Sequence, residues 1–188
     1  GTRHRSHERE PFGYYQANRP VRELSRVEGH AVRAMYLYCA MADLARKYGD
    51  AGLLAACVRL WRHLVEKNLY VTGGIGSSRA NEGFTFDYDL PNETAYAETC
   101  ANIGLSFWAH RMFSLTGGAT YLDVMERALY NSVLSGISLD GKHFFYDNKL
   151  SVLGGGRDLH VDGAGGKHHR RDWFGCSCCP PNVARLLA

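Results

Sequence analysis

Apolar side chains recur every three to four residues along four segments of the chain, which is typical of helices that bury one face. A glycine follows the first and the third of these segments and supplies a C-terminal stop. Asp50 precedes the second segment and is a candidate N-cap. The pattern therefore predicts helices over the following segments: 21–47, 51–67, the 90s to Leu115, and 120–135.

Shorter elements are predicted near the C-terminal end. Two short strands, 136–139 and 143–147, are expected to form a hairpin around Asp140 and Gly141. A final helix begins at Pro180, because proline is favoured in the first turn of a helix. The fold class is therefore mainly all-α, with short β-strands and long loops.

Two long segments lack a helical pattern. Residues 69–92 start with a strand-like Tyr70–Thr72 and continue through a glycine-rich stretch, 73–78. That stretch lacks the GxGxxG spacing and the following lysine of phosphate-binding loops, so we interpret it as a tight turn. Residues 151–170 hold six glycines and predict a long loop.

The order of these elements indicates stacked αα-hairpins, since the helices come in consecutive pairs with long insertions between the pairs. The pattern of the last helix stops after about two turns, and the chain begins without a methionine. We therefore interpret the chain as a segment of a larger helical array.

Composition excludes several classes of protein. The 188 residues carry a formal net charge of +3, which is too small an excess for a dedicated nucleic-acid binder. No run of 18 apolar residues exists, so we expect no membrane span or membrane partner. No signal peptide is visible, although a leader could lie upstream, so the compartment stays open on this ground.

Five of the six cysteines fall into two groups, and Cys100 stands apart from both. Cys39 and Cys57 lie within apolar helical patterns and are expected in the core. Cys176, Cys178 and Cys179 lie within four residues of one another. Clustered thiols in a long chain with few other cysteines indicate a metal or catalytic site rather than a disulfide framework, which favours a reducing cytoplasm.

Glu98 and Cys100, together with Cys178 and Cys179, offer one carboxylate and three thiolates, a donor set that favours zinc. Residues i and i+2 of a helix point about 200° apart, so Glu98 and Cys100 could share an ion only at a helix start, with Thr99 as a candidate cap. Cys178 and Cys179 precede the final helix, whose N-terminus favours thiolates. A structural zinc site remains an alternative to a catalytic one.

Four motifs in this order resemble glycoside hydrolase family 127, the β-L-arabinofuranosidases, and its relatives. They are Tyr70–Gly76, Asn81-Glu82, Tyr96–Ala101 and Cys178–Asn182. The resemblance implies the later half of an (α/α)6 barrel over residues 1–188, without the earlier barrel helices and the β-sandwich domains of the family. It also implies a zinc-dependent, retaining exo-glycosidase that acts on terminal arabinofuranosides and uses a cysteine nucleophile.

The resemblance assigns roles residue by residue. Glu82 matches the general acid/base, and Cys178 matches the nucleophile as well as one zinc ligand. His30 and Tyr146 match positions that line the sugar site. Cys176 matches none of these positions. The zinc ligands implied are Glu98, Cys100, Cys178 and Cys179.

Other assignments compete with these. Asp87 and Asp89 are alternative acids to Glu82, and Trp173 and Phe174 are placed to stack on a sugar or to pack in the core. A non-catalytic, zinc-stabilised helical module is the alternative to an enzyme.

Overall fold

The computed structural model describes residues 12–151 and 169–188. Helices dominate these residues, and strand pairing is limited to isolated bridges within them. Two single 3-10 turns, Gly13–Tyr15 and Val21–Glu23, precede the first α-helix. The α-helices of the described residues are α1 (Ala31–Tyr48), α2 (Ala51–Lys67), α3 (Thr99–Thr116), α4 (Ala119–Ala128) and α5 (Cys179–Leu187).

The predicted bounds of the first helix pair are correct except at the start of α1. Gly49 ends α1 in the left-handed conformation, with φ 64°, and Asp50 Oδ1 accepts the Leu53 N–H at 2.9 Å to cap α2. The predicted start at residue 21 is wrong. Gly29 adopts φ 71°, which breaks any helix upstream, and His30 then caps α1 through Nδ1, which accepts the Arg33 N–H at 3.4 Å.

The later elements also differ from the prediction. α4 ends at Ala128 and continues as a wider π-helical turn, Leu129–Val133, where Ser132 Oγ donates to the Thr72 carbonyl at 2.7 Å. The expected hairpin is reduced to one bridge between Ile137 and Phe144, and Tyr70–Thr72 forms a turn rather than a strand. Residues 152–168 of the predicted glycine-rich loop lie outside the described residues.

One aromatic ring from each of the first four helices meets in the core. Trp108 of α3 is fully buried and lies 4.9 Å from Tyr38 of α1 and 5.1 Å from Trp61 of α2, measured between ring centroids. Trp61 in turn lies 4.6 Å from Tyr121 of α4. Because these rings come from both helix pairs, burying them fixes the two hairpins against each other.

α3 is the central helix of the described residues, since it packs against α1, α4 and α5. Its side chains are buried almost all round, whereas α2 and α4 keep exposed faces. This arrangement confirms the mainly helical fold built from hairpins. Among the described residues, none of the helices combines the length and the hydrophobicity that a membrane span requires. The N-terminal end of α3 meets that of α5, and this junction holds the candidate site.

Trp108→Ala should lower the free energy of unfolding by about 3–5 kcal/mol, because it leaves a cavity where the two hairpins meet. Trp173→Ala is the matched control, since Trp173 is 61% exposed and its loss should cost under about 0.5 kcal/mol. Denaturant unfolding of both variants checks this. If Trp108→Ala does not fold, Trp108→Phe replaces it and should still lose more stability than Trp173→Ala. Equal losses at the two positions would contradict the packing described above.

Candidate active site

Two helix N-termini bring together donors that are far apart in the sequence. Glu98 and Cys100 lie at the start of α3, and Cys178 and Cys179 lie at the start of α5. Cys179 Sγ lies 3.8 Å from Cys100 Sγ and 3.8 Å from Cys178 Sγ. Cys178 Sγ lies 3.8 Å from Glu98 Oε1 across 80 residues of sequence. All three cysteines are free thiols, so no disulfide ties up this cluster.

These distances fit a tetrahedral metal site. Zn–S bonds of about 2.3 Å at the tetrahedral angle separate two sulfurs by about 3.8 Å. Glu98 Oε2 is buried and has no hydrogen-bond partner among the described residues, so the carboxylate keeps a lone pair for a further bond. A soft donor set of three sulfurs and one oxygen suits zinc better than calcium or magnesium. The three sulfurs all lie within 4.8 Å of one another and fit a zinc ion, and Glu98, which contacts Cys178, would supply the fourth donor.

The four donors strongly perturb one another's ionisation. Hydrogen bonds from Cys100 and then Cys179 lower the pKa of Cys178 far below that of a free thiol. The hydrogen bond with Cys178 raises the pKa of Cys100, and hydrogen bonds with Cys100 and then Cys178 raise the pKa of Cys179, so negative charge concentrates on the Cys178 sulfur. Burial, and secondly the negative charge of Cys178, raises the pKa of Glu98 to about 8. A divalent cation would compensate the charge of this cluster and displace its remaining protons.

The backbone before α3 sets the direction of the Glu98 side chain. Ala97 has φ 38°, and its carbonyl accepts hydrogen bonds from Asn102 Nδ2 at 3.2 Å and Asn148 Nδ2 at 2.9 Å. Glu98 occupies the N-cap position, where the backbone is not yet helical. Its side chain therefore does not follow the helical direction of the Cys100 side chain. The predicted helix start is correct, but Thr99 is not the cap. Its hydroxyl instead donates to the Phe145 carbonyl at 2.8 Å.

Aromatic side chains close the cluster on one side. Tyr146 packs between Tyr96 and Phe174, with ring centroids 6.4 and 5.7 Å away. Burial and the nearby charge of Glu98 raise the pKa of Tyr146, which keeps its hydroxyl protonated and able to donate toward Cys178. Phe174 is buried against Phe144 at 4.9 Å and therefore packs in the core rather than facing solvent.

His30 and Glu82 form a second pair beside the cluster. His30 Nε2 lies 3.3 Å from Glu82 Oε2, and ligand atoms of His30, Glu82 and Glu98 all lie within 4.8 Å of one another. Burial lowers the pKa of His30, although the charge of Glu82 opposes this. Since Nδ1 accepts the Arg33 N–H, a neutral imidazole carries its proton on Nε2 and donates it to Glu82.

A very close backbone approach holds this pair together. The Ala31 N–H donates to the Glu82 carbonyl at 3.0 Å, and the Phe84 N–H donates to the Gly29 carbonyl at 2.9 Å. A Cβ at Gly83 would lie 1.8 Å from the Gly29 oxygen, so only glycine fits between these bonds. Glu82 itself adopts φ 51°, an uncommon left-handed conformation. The turn therefore aims Glu82 at His30.

The alternative acids have other partners. Asp87 pairs with His63 Nε2 at 3.0 Å and Lys67 Nζ at 2.8 Å, and the Lys67 hydrogen bond lowers the pKa of Asp87. Asp89 accepts the hydroxyl hydrogen of Thr85. The Asp87 contacts fasten residues 84–90 to α2, whereas the contact of Asp89 with Thr85 lies within that segment. Neither aspartate belongs to the candidate metal clusters of the described residues.

Sequence reasoning missed the role of Asn182, which contacts the cysteine cluster. Asn182 Nδ2 donates to Cys100 Sγ at 3.4 Å, while Asn182 Oδ1 accepts the Tyr36 hydroxyl hydrogen at 3.1 Å. Asn182 stands three residues after Cys179 in the recognised motif, so its helical position was visible from the sequence. Its partner on α1 was not visible, because 146 residues separate the two.

Comparison with known proteins gives one consistent result. Residues 3–188 match the family model described as beta-L-arabinofuranosidase, GH127 catalytic domain. A curated relative from Bifidobacterium longum subsp. longum, named non-reducing end beta-L-arabinofuranosidase, is 47% identical over 175 residues. The match covers 93% of this chain and 26% of that relative. The chain thus spans about a quarter of the relative's length.

Solved structures agree with this match. A GH127 beta-L-arabinofuranosidase from Geobacillus stearothermophilus T6 superposes with a TM-score of 0.86 at 53% identity, covering 94% of this chain and 28% of that one. A second structure, titled GH127 beta-arabinofuranosidase BT3674, gives a TM-score of 0.82 at 47% identity, covering 92% and 25%. The mainly helical fold is therefore that of GH127 structures, consistent with a segment of an α/α barrel.

Replacing Glu82 by Gln should lower the pKa of His30 further, because the carboxylate charge that favours the imidazolium is lost while burial remains. Titration of the His30 ring protons by NMR in both proteins measures this shift. Asp140→Asn is the control, since that carboxylate pairs with His143 instead, and it should leave the pKa of His30 unchanged. An unchanged or higher pKa of His30 in Glu82→Gln would contradict the pairing.

Proposed function

The chain belongs to the GH127 catalytic-domain family, and on that premise we propose that it carries the catalytic centre of a retaining β-L-arabinofuranosidase. We take residues 1–188 as part of a larger (α/α)6-barrel domain that hydrolyses terminal arabinofuranosides. The observation that carries the proposal is the convergence of two groups on one carboxylate. The Cys178 sulfur lies 3.8 Å from Glu98, and Glu82 approaches the same residue within 4.8 Å.

Glu98, Cys100, Cys178 and Cys179 would hold a zinc ion. Bound there, zinc would keep the Cys178 sulfur ionised at neutral pH. The start of α5 contributes to the same end, because its free N–H groups and dipole favour a negative charge on its first residues. Asn182, through its hydrogen bond to Cys100, would orient one ligand from outside the coordination shell.

In the first step the Cys178 thiolate attacks the anomeric carbon and forms a C–S bond. The glycosidic C–O bond breaks, and protonated Glu82 gives its proton to the departing oxygen. Tyr146 would bind the sugar or the sulfur through its hydroxyl on the same side. His30 would hold the Glu82 side chain through Nε2, which lies 3.3 Å from its carboxylate.

In the second step Glu82, now a carboxylate, takes a proton from water. The oxygen of that water attacks the anomeric carbon, the C–S bond breaks, and the Cys178 thiolate is restored. Two inversions at one carbon give retention of configuration. A thiolate nucleophile therefore replaces one carboxylate of the usual pair in retaining glycosidases.

A purely structural zinc site explains less of the geometry. Structural sites enclose their ligands, and Cys100 and Cys179 are indeed buried, but Cys178 is only partly buried. The partly exposed sulfur is the one whose pKa is lowered, whereas the pKa values of Cys100 and Cys179 are raised. Reactivity and access thus coincide at one residue, which favours catalysis.

Cys178→Ser in the complete catalytic domain should reduce glycosidase activity by at least about a thousandfold, because serine is a far weaker nucleophile without a base. Cys176→Ser, an exposed thiol two residues earlier, is the control and should keep its activity. Activity is measured on an aryl β-L-arabinofuranoside, with zinc per chain determined in parallel and expected near one. A Cys178→Ser protein that keeps both zinc and normal turnover would contradict the assignment of Cys178 as the nucleophile.

Glu82→Gln should reduce turnover by about 10²–10⁴-fold for substrates with poor leaving groups, because the amide gives no proton. For aryl glycosides of acidic phenols, the rate of the first step should fall less, since their leaving oxygen needs little protonation. Asp87→Asn makes the same change at an alternative acid and should keep most of the activity. Unchanged turnover of Glu82→Gln at both acid and neutral pH would remove it from the acid/base role.

A further inference from the structure

An exposed group of aromatic and cationic side chains lies beside the pair of His30 and Glu82 without an assigned role. The Arg33 guanidinium lies over the Tyr15 ring at 4.8 Å and over the Tyr14 ring at 5.5 Å. The two tyrosine rings pack edge to face at 4.8 Å. Tyr14 also packs against the His30 ring at 5.7 Å. This group therefore adjoins the histidine that contacts Glu82.

The group is held rigidly by buried polar contacts. Gln16 is 4% exposed, and its Nε2 donates to the carbonyls of Tyr14 at 3.1 Å and Glu28 at 2.9 Å. The His30 N–H donates to the Tyr14 carbonyl at 3.1 Å. A Cβ at Gly29 would lie 2.4 Å from the Gly13 carbonyl oxygen, so the two segments are in close contact. Tyr14 and Tyr15 are thus preorganised relative to the site.

The free surface of this group suits a sugar. Tyr15 is 55% exposed, so much of its ring is open to an apolar face. Arg33 is exposed and forms no ion pair with any residue in 12–151 or 169–188. Its N–H donors remain available for hydroxyl oxygens. Aromatic walls with a few fixed donors are the usual composition of small-ligand sites.

The position of this group indicates which sugar of the substrate it binds. The contacts run outward from buried Glu98 through Glu82 and His30 to exposed Tyr15 and Arg33. In a retaining glycosidase the leaving group lies on the side of the proton donor, away from the nucleophile. We propose that Tyr15 and Arg33 form the subsite for the leaving-group sugar of a disaccharide substrate, an inference that rests on the proposed function.

The test compares two substrates in the complete catalytic domain. Methyl β-L-arabinofuranoside has no second ring, whereas a disaccharide of two arabinose units has one, and both leaving groups are alkoxides. Tyr15→Ala and Arg33→Gln should each lower kcat/KM for the disaccharide roughly tenfold, mainly through KM. Both should leave kcat/KM for the methyl glycoside within about twofold. Tyr15→Phe keeps the ring and should behave as the wild type.

Tyr48→Ala is the matched control, because Tyr48 is also exposed and carries a lysine 5.4 Å over its ring, at the far end of α1. It should change neither substrate. If thermal unfolding shows that Tyr15→Ala is not folded, Arg33→Lys and Arg33→Gln test the subsite instead. The wild type must be active on both substrates for this comparison. Equal losses of kcat/KM on both substrates, or no loss on either, would then overturn the subsite. A wild type that hydrolyses neither substrate would overturn the proposed function and the subsite with it.

Discussion

The contact of three sulfurs with one carboxylate is the constraint on which the rest of this structure depends. Groups that carry negative charge repel one another when buried, so their approach to 3.8 Å requires either retained protons or a cation between them. The chain supplies two helix N-termini at this point, and α3 and α5 both begin there. The same contact joins segments 80 residues apart, so it ties the end of the chain to its central helix.

The surrounding structure makes this contact specific. Trp108 and its aromatic neighbours fix α3 between the hairpins, and Asn182 links the cysteines to Tyr36 on α1. Glu82 lies in a separate turn beside the cluster. Because Gly83 has no side chain, this turn can pack closely against Gly29. The backbone of Glu82 is held on both sides, because its N–H donates to the Arg79 carbonyl and its own carbonyl accepts the Ala31 N–H. Such rigidity favours precise placement of reacting groups.

Local patterns predicted much of the fold, and long-range contacts account for what they missed. α2 begins and ends where apolar spacing and the Asp50 cap place it, because both signals are local. The start of α1 was missed because His30 is positioned by its bridge to Gly83. For the site, spacing alone indicated that Glu98 and Cys100 could meet only at a helix start. Donor chemistry grouped Glu98 and Cys100 with Cys178 and Cys179, and the resemblance to a family supplied the separate roles of Cys178 and Glu82. Gln16 and Asn182 depend on partners that no local pattern reveals.

Zinc K-edge X-ray absorption of the purified catalytic domain tests the proposed zinc site most directly. The expected first coordination shell has three sulfurs at about 2.3 Å and one oxygen at about 2.1 Å. Cys57→Ser, at a buried cysteine of α2, should leave that shell unchanged. A shell made only of nitrogen and oxygen, or one with fewer than three sulfurs, would contradict it.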